Sequence, residues 1–339
     1  MPEQLLLPSG ENKSIENSIL LKNEKKGAKS MFMTGSEILA YKNVHEKFLV
    51  EPILPCGTVC FLAGPSDTGK SILSRQIAVA VALGKTSVLG MPLKLKHQRA
   101  IVISTEDDRT DWKEKLTLYS LPIAEKGLEN LLVSFEPETC DIIQLRKCLE
   151  VNPVDIIVVD VFADIFQGNL NDVMDVRKFL KPYKKLANDF DCTILFLHHL
   201  TKSGQKSEPS KLNLVGSQGL EAIARSVLEL RADPTDLDCR LLSVVKNNYI
   251  SPKAKSIASK LKLNEKLEFE NQGSKLIQDI GKKASHSTNE EVIKLILEEK
   301  KKGSSSRAIS TKLSENGTPL GKSTVSEILK GNPLRMSDL

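Results

Sequence analysis

Eight residues, Gly64-Pro65-Ser66-Asp67-Thr68-Gly69-Lys70-Ser71, follow the spacing G-x-x-x-x-G-K-[ST] and constrain this chain more than any other segment. Such a segment works as the bend between a buried strand and a helix, and both flanks suit it. Thr58-Val59-Cys60-Phe61-Leu62-Ala63 is β-rich and apolar, and Ile72, Leu73, Ile77, Val81 and Leu83 then recur at helical spacing. Glycines let backbone N–H groups turn inward around phosphate oxygens, and the following helix aims the positive end of its dipole at the same anion. Lys70 is expected to reach the β and γ phosphates and the Ser71 hydroxyl to hold Mg²⁺. The segment reads as a nucleoside triphosphate site. The alternative, a chance glycine-rich turn, leaves the matching strand and helix unexplained.

The 339 residues allow one large domain and a small one. No run approaches the roughly 18 apolar residues of a membrane helix. The N-terminal Met1-Pro2-Glu3-Gln4 and Leu5-Leu6-Leu7 lack a basic region and a long apolar stretch. A cytoplasmic protein is therefore expected. The cysteines (Cys56, Cys60, Cys140, Cys148, Cys192, Cys239) form no metal-type C-x-x-C pair and read as reduced core thiols.

From Ser36 to about Ala232, β-rich apolar runs alternate with helical patterns, which predicts an α/β fold with a mainly parallel sheet. Strands are expected at 58–63, 100–104, 131–135, 156–160, 193–197, 227–230 and 241–245. Helices are expected at 71–83, 111–119, 141–150, 173–190 and 218–225. Residues 1–35 are polar and read as a flexible arm, 36–250 as the nucleotide-binding domain, and 251–285 as a β-extension and linker. Thr201–Val215, rich in Lys, Ser and Gly, has no apolar period and reads as a mobile loop.

Residues 286–335 read as a separate small all-α domain. Three short amphipathic helices, with Asn316-Gly317 as a turn, suit a helix-turn-helix. Residues 281–335 hold eleven Lys/Arg and six Asp/Glu, a net +5 that equals the charge of the whole chain. A near-neutral body with a basic tail points to nucleic acid, a basic solubilising face being the plainer alternative. Lys322, Ser323 and Thr324 open the third helix and are candidates for meeting DNA phosphates or base edges.

Chemistry at the phosphate loop needs further groups at strand ends. Asp160 closes the wholly apolar run Ile156–Val159, the setting of a second Mg²⁺ contact. Glu106, just past the strand 100–104, is the candidate to activate water. Its neighbours Asp107 and Asp108 suit the acidic first turn of the next helix. His198-His199 close the strand at 193–197, where a histidine could sense the γ-phosphate or be merely structural.

Together the phosphate loop, Thr105-Glu106-Asp107-Asp108, Val159-Asp160 and the stretch Cys192–Lys202 with its His-His pair resemble the RecA-like P-loop ATPases, and most of all the RepA-type hexameric helicases of plasmids. Gly216-Ser217 and Lys246-Asn247-Asn248-Tyr249 also look like that family. The resemblance spans roughly Leu49 to Ile250. It implies ATP with Mg²⁺, Glu106 as catalytic base, Asp160 as metal-binding acid, His199 as phosphate sensor, and a homo-hexamer acting on DNA.

Related rings carry Lys-x-Arg after the last strand, reaching into the neighbouring subunit's site. Here Lys246 is present, but Asn248 stands where the arginine belongs. Either Lys246 acts alone as the catalytic cation, or Arg225, Arg231 or Arg240 serves, or the contribution is weak. By the same comparison, Lys202, Lys206 and Lys211 in the 201–215 loop would track single-stranded DNA in the ring's channel. The rival expectation is an ATP-switched DNA-binding regulator or loader that does not unwind. A metabolic kinase with a phosphate loop would leave the His pair and the basic tail unexplained.

Overall fold

The computed structural model describes residues 33–40, 47–118, 125–279, 290–315, 321–322, 325–326 and 329. Two compact units divide at His45/Glu46. In the first unit the described residues form one short helix, Gly35–Leu39. Its start is fixed by a capping box in which Thr34 and Glu37 bond reciprocally. Of the arm expected at 1–35, residues 1–32 lie outside the described residues.

The second unit is built on a nine-stranded sheet, labelled here in chain order. The strands are β1 (Thr58–Gly64), β2 (Ala100–Ser104), β3 (Leu131–Ser134), β4 (Ile156–Asp160), β5 (Thr193–His199), β6 (Ser226–Asp233), β7 (Asp236–Asn247), β8 (Ile257–Leu263) and β9 (Phe269–Leu276). Across the sheet they run β9-β8-β7-β6-β1-β5-β4-β2-β3. From β6 to β3 every pairing is parallel, and β7, β8 and β9 add antiparallel strands at one side. The architecture is α/β with a large, mostly parallel central sheet. Each strand expected from the sequence forms, with ends displaced by a few residues.

Longer helices cover both faces: α1 (Lys70–Ala82), α2 (Arg109–Thr117), α3 (Ile142–Val151), α4 (Val173–Phe190) and α5 (Ser217–Ile223). Leu73, Ile77 and Val81 of α1 bury against Cys60, Leu62, Leu195 and Leu197 on one face. Leu180 and Leu186 of α4 and Leu220 of α5 bury against Phe61, Ile157 and Phe196 on the other. Unbroken apolar runs such as Ile156–Val159 are what a strand buried on both faces requires.

The 201–215 loop departs from the expectation of a mobile segment. It forms two short helical turns, Gly204–Lys206 and Lys211–Asn213, and folds onto β6. Arg231 donates to the carbonyls of Gly204 (2.7 Å), Gln205 and Ser207. Glu229 pairs with Arg231 and accepts from the Ser210 N–H at 3.0 Å. Buried polar side chains anchor the loop, so an apolar period gives no warning of its order.

The Lys-rich stretch after Ser251 carries the β8–β9 hairpin. Phe269 joins the core, and its backbone exchanges two bonds with the Gln76 amide, at 2.9 and 2.8 Å. In the C-terminal region α6 (Glu290–Lys301) and α7 (Ser306–Glu315) pack through Ile296, Ile309 and Leu313 with Val325 and Leu329. Lys302 and Lys312 both pair with Glu299, at 3.1 and 2.8 Å. Lys322 is exposed. Ser323, Thr324 and the Asn316-Gly317 turn lie outside the described residues. No helix among the described residues is long and apolar enough to cross a membrane.

Candidate active site

Parallel strands deliver their carboxyl ends to one edge, and the candidate residues of β1, β2, β4 and β5 meet there. At the end of β1, Gly64 is required by space, because an added Cβ would stand 2.4 Å from the Leu230 carbonyl oxygen. Gly69 caps α1 at φ +89°, and a side chain there would strike the Phe269 ring at 2.8 Å. Between them Pro65, Ser66, Asp67 and Thr68 close the loop. The Thr68 hydroxyl donates to the Pro65 carbonyl at 2.9 Å and the Lys70 ammonium to the same oxygen at 2.8 Å.

Lys70 is nearly buried, and that burial pushes its ammonium below the usual lysine range; Asp160, Glu106 and Asp67 pull it back. Asp160 is buried at the end of β4, and burial pushes its carboxyl up to about 6. A hydrogen bond from the Ser71 side chain opposes the shift, while the charges of Glu106 and Asp107 add to it. Ser71 and Asp160 thus meet as two oxygen donors, and a buried carboxylate crowded by other acids is one a hard divalent cation would relieve. Among the described residues no cluster of three His, Cys, Asp or Glu could hold a metal. An Mg²⁺ ion would rest on Ser71 and Asp160 and complete its shell from phosphate and water. The residues present fit that ion.

The three neighbouring acids separate by partner. Asp107 holds the guanidinium of the buried Arg75 at 2.7 Å and Lys115 at 2.6 Å. Asp108 caps α2, accepting from the N–H groups of Thr110 and Asp111 at 2.7 and 2.9 Å. Glu106 has no hydrogen-bond or ion-pair partner among the described residues, yet its charge reaches Lys70, Asp160 and His199. Thr105 supports this turn, its N–H and hydroxyl both donating to the Asp160 carbonyl, at 2.7 and 2.9 Å.

Alternation along β5 separates the two histidines. His199 stands opposite Gly64 in the strand register. It is half-buried, and burial with the Lys70 charge lowers its pKa against Glu106 and Asp164. His198 points to the other face among Phe61 and Phe162 and is 1% exposed. Its Nε2 lies 2.8 Å from the Val215 carbonyl, which can only accept, so this nitrogen carries the proton; Nδ1 has no partner among the described residues. His198 is therefore a neutral structural group, and burial lowers its pKa to about 4.

A depressed histidine pKa stabilises the fold above the unfolded value near 6.5 and loses that contribution as pH falls toward 4. Between pH 7.5 and 4.5, wild type should lose about 2–3 kcal/mol more of its unfolding free energy than His198→Leu. Urea titrations of both proteins at the two pH values measure this difference. Equal losses would show that His198 is not the acid-sensitive group.

The remaining cations lie elsewhere. Lys202 and Lys206 are exposed without ion-pair partners among the described residues, and Lys211 is paired with Glu221. Lys246 donates to the Glu221 carbonyl on the face covered by α4 and α5, so it is not brought to its own chain's phosphate loop. Arg231 is spent on the 201–215 loop. Arg240 donates from Nε to the Thr68 carbonyl at 3.2 Å, inside its own loop. The roles of Arg75, Thr105, Arg240 and Phe269 had no sequence signal, since each acts through a contact distant in the chain.

A comparison with curated proteins returns no match. Residues 43–205, which hold the phosphate loop, the Glu106 turn, Asp160 and the His pair, match the family model described as AAA domain, a likeness that supports nucleotide binding by this part of the chain.

Proposed function

We propose that the chain is a Mg²⁺-dependent ATPase that acts on DNA as a ring of identical copies in the cytoplasm, in the manner of a RepA-like helicase or the replication or mobilisation motor of a plasmid or mobile element. The observation that carries the hydrolytic part is the gathering of Lys70, Ser71, Glu106 and Asp160 at the carboxyl ends of the strands, with Glu106 unpaired among the described residues. Gly64 to Gly69 bind the phosphates through backbone N–H groups, and Lys70 neutralises the β and γ oxygens. Mg²⁺, when bound, offsets phosphate charge and fixes the phosphate geometry. Glu106 accepts a proton from the attacking water, because Asp107 and Asp108 are committed to other partners. His199, level with Gly64, reports loss of the γ-phosphate to the loop that follows it. Lys246 serves a nucleotide held by another copy.

DNA contact is assigned to Lys202 and Lys206, with Lys211 joining only if it leaves Glu221, and to Lys322, Ser323 and Thr324 in the tail. A second reading, an ATP-switched regulator or loader, is favoured by one feature. Asn248 occupies the place of a trans-acting arginine. ATP hydrolysis measured with and without single-stranded DNA at low salt separates the two. Several-fold stimulation is expected for the motor. Turnover indifferent to DNA would overturn that reading and leave the switch.

A further inference from the structure

A groove of about 810 Å³ lies between α3, α4 and the helical turns Pro137–Cys140 and Phe162–Ile165. Phe166, Phe179 and Tyr183 give it an aromatic wall, with successive ring centroids 5.2 and 5.1 Å apart. The Tyr183 hydroxyl donates to the Cys140 carbonyl at 2.7 Å, so this residue offers the groove its ring rather than a donor. Four carboxylates line the same groove, those of Glu138, Asp141, Asp164 and Asp175, against one ammonium, that of Lys178.

Two of the four acids are fixed by the fold. Asp141 caps α3 through Oδ1, which accepts from the N–H groups of Ile143 and Gln144 at 2.9 and 3.1 Å, and Asp164 accepts the Thr105 hydroxyl at Oδ2. The second oxygen of each, and the carboxylates of Glu138 and Asp175, have no hydrogen-bond or ion-pair partner among the described residues. No three acids among the described residues converge as a metal site requires, so the charge is spread along the groove and a single divalent ion does not answer it. A nucleic-acid strand would be repelled through its phosphates. A wholly apolar occupant would strip water from the carboxylates without pairing them.

We propose that this groove docks a basic peptide segment of a partner protein, with an arginine side chain laid against the Phe179 ring and its guanidinium forked onto the carboxylates. Charge complementarity selects the occupant, and the spread of acids over both walls suits a segment with several cations better than one small ion. A guanidinium stacks on an aromatic face and pairs bidentately with a carboxylate, both of which an ammonium does less well. Carboxylates already held by α3 and Thr105 cost little further ordering when the cation arrives. The chain as a whole carries a formal +5, so a polycation has no general attraction to it and must find a local acidic site. Neither Glu106 nor the phosphate loop lines the groove, so docking stands apart from hydrolysis.

Fluorescence anisotropy of a labelled hexa-arginine peptide, titrated with the full chain at low salt, tests this. Glu138→Gln/Asp175→Asn should weaken binding about 10-fold, because it removes two unpaired carboxylates and leaves the α3 cap and the Thr105 bond intact. Asp238→Asn/Glu265→Gln, exposed on the antiparallel side of the sheet, should leave binding unchanged. Hexalysine should bind wild type about 3-fold more weakly than hexa-arginine, and Phe179→Leu should erase that preference. Equal binding by wild type and Glu138→Gln/Asp175→Asn overturns the proposal, whether or not Phe179→Leu folds. So does the absence of binding by wild type. Spermine that binds as tightly as hexa-arginine, with the same dependence on Glu138 and Asp175, would make the groove a polyamine site and overturn the assignment to a peptide.

Discussion

Glu106→Gln is expected to bind MgATP as wild type does and to hydrolyse it about 10²–10⁴-fold more slowly. The substitution keeps the shape and removes the basic oxygen. It leaves Asp107 on Arg75 and Lys115 and Asp108 at the cap of α2, so the turn itself should survive. Asp107→Asn, by contrast, should act on stability, because it removes the partner of an almost wholly buried guanidinium. Phosphate release under saturating ATP, paired with calorimetric MgATP titration, checks both halves. Undiminished turnover in Glu106→Gln would remove Glu106 from the role of base.

The second large effect concerns the loop after β5. Arg231→Leu removes the partner of Glu229, whose carboxyl is fully buried and already pushed up by burial against the opposing Arg231 charge. It also strips donors from the carbonyls of Gly204, Gln205 and Ser207. Breaking a buried pair at one end should cost about 3–5 kcal/mol, and removing both charges in Glu229→Leu/Arg231→Leu should recover part of it. Urea unfolding of the two variants measures this. A single variant as stable as wild type would show that the pair does not hold the loop.

The parallel half of the sheet was legible because its strands are buried on both faces and therefore apolar at every position, as in Ile156–Val159. The phosphate loop was legible because backbone geometry dictates its glycines. The order of the 201–215 loop was not, since its anchors, Glu229 and Arg231, lie on a strand that had only its apolar residues to announce it. The choice of Glu106 over Asp107 and Asp108 rested on pattern alone, and the partners that the other two take add support for it. Neighbours in sequence look alike until Arg75, Lys115 and the α2 cap claim two of them. The docking of Phe269 against Gly69 joins residues two hundred positions apart, beyond the reach of any local pattern.

Phosphate release from ATP by the purified wild-type chain, with Mg²⁺ and after its removal by a chelator, tests the central claim most directly. Metal-dependent release that Glu106→Gln loses is the predicted result. Release no greater than that of Glu106→Gln, or equal with and without the metal, would contradict a site built from Lys70, Ser71, Glu106 and Asp160.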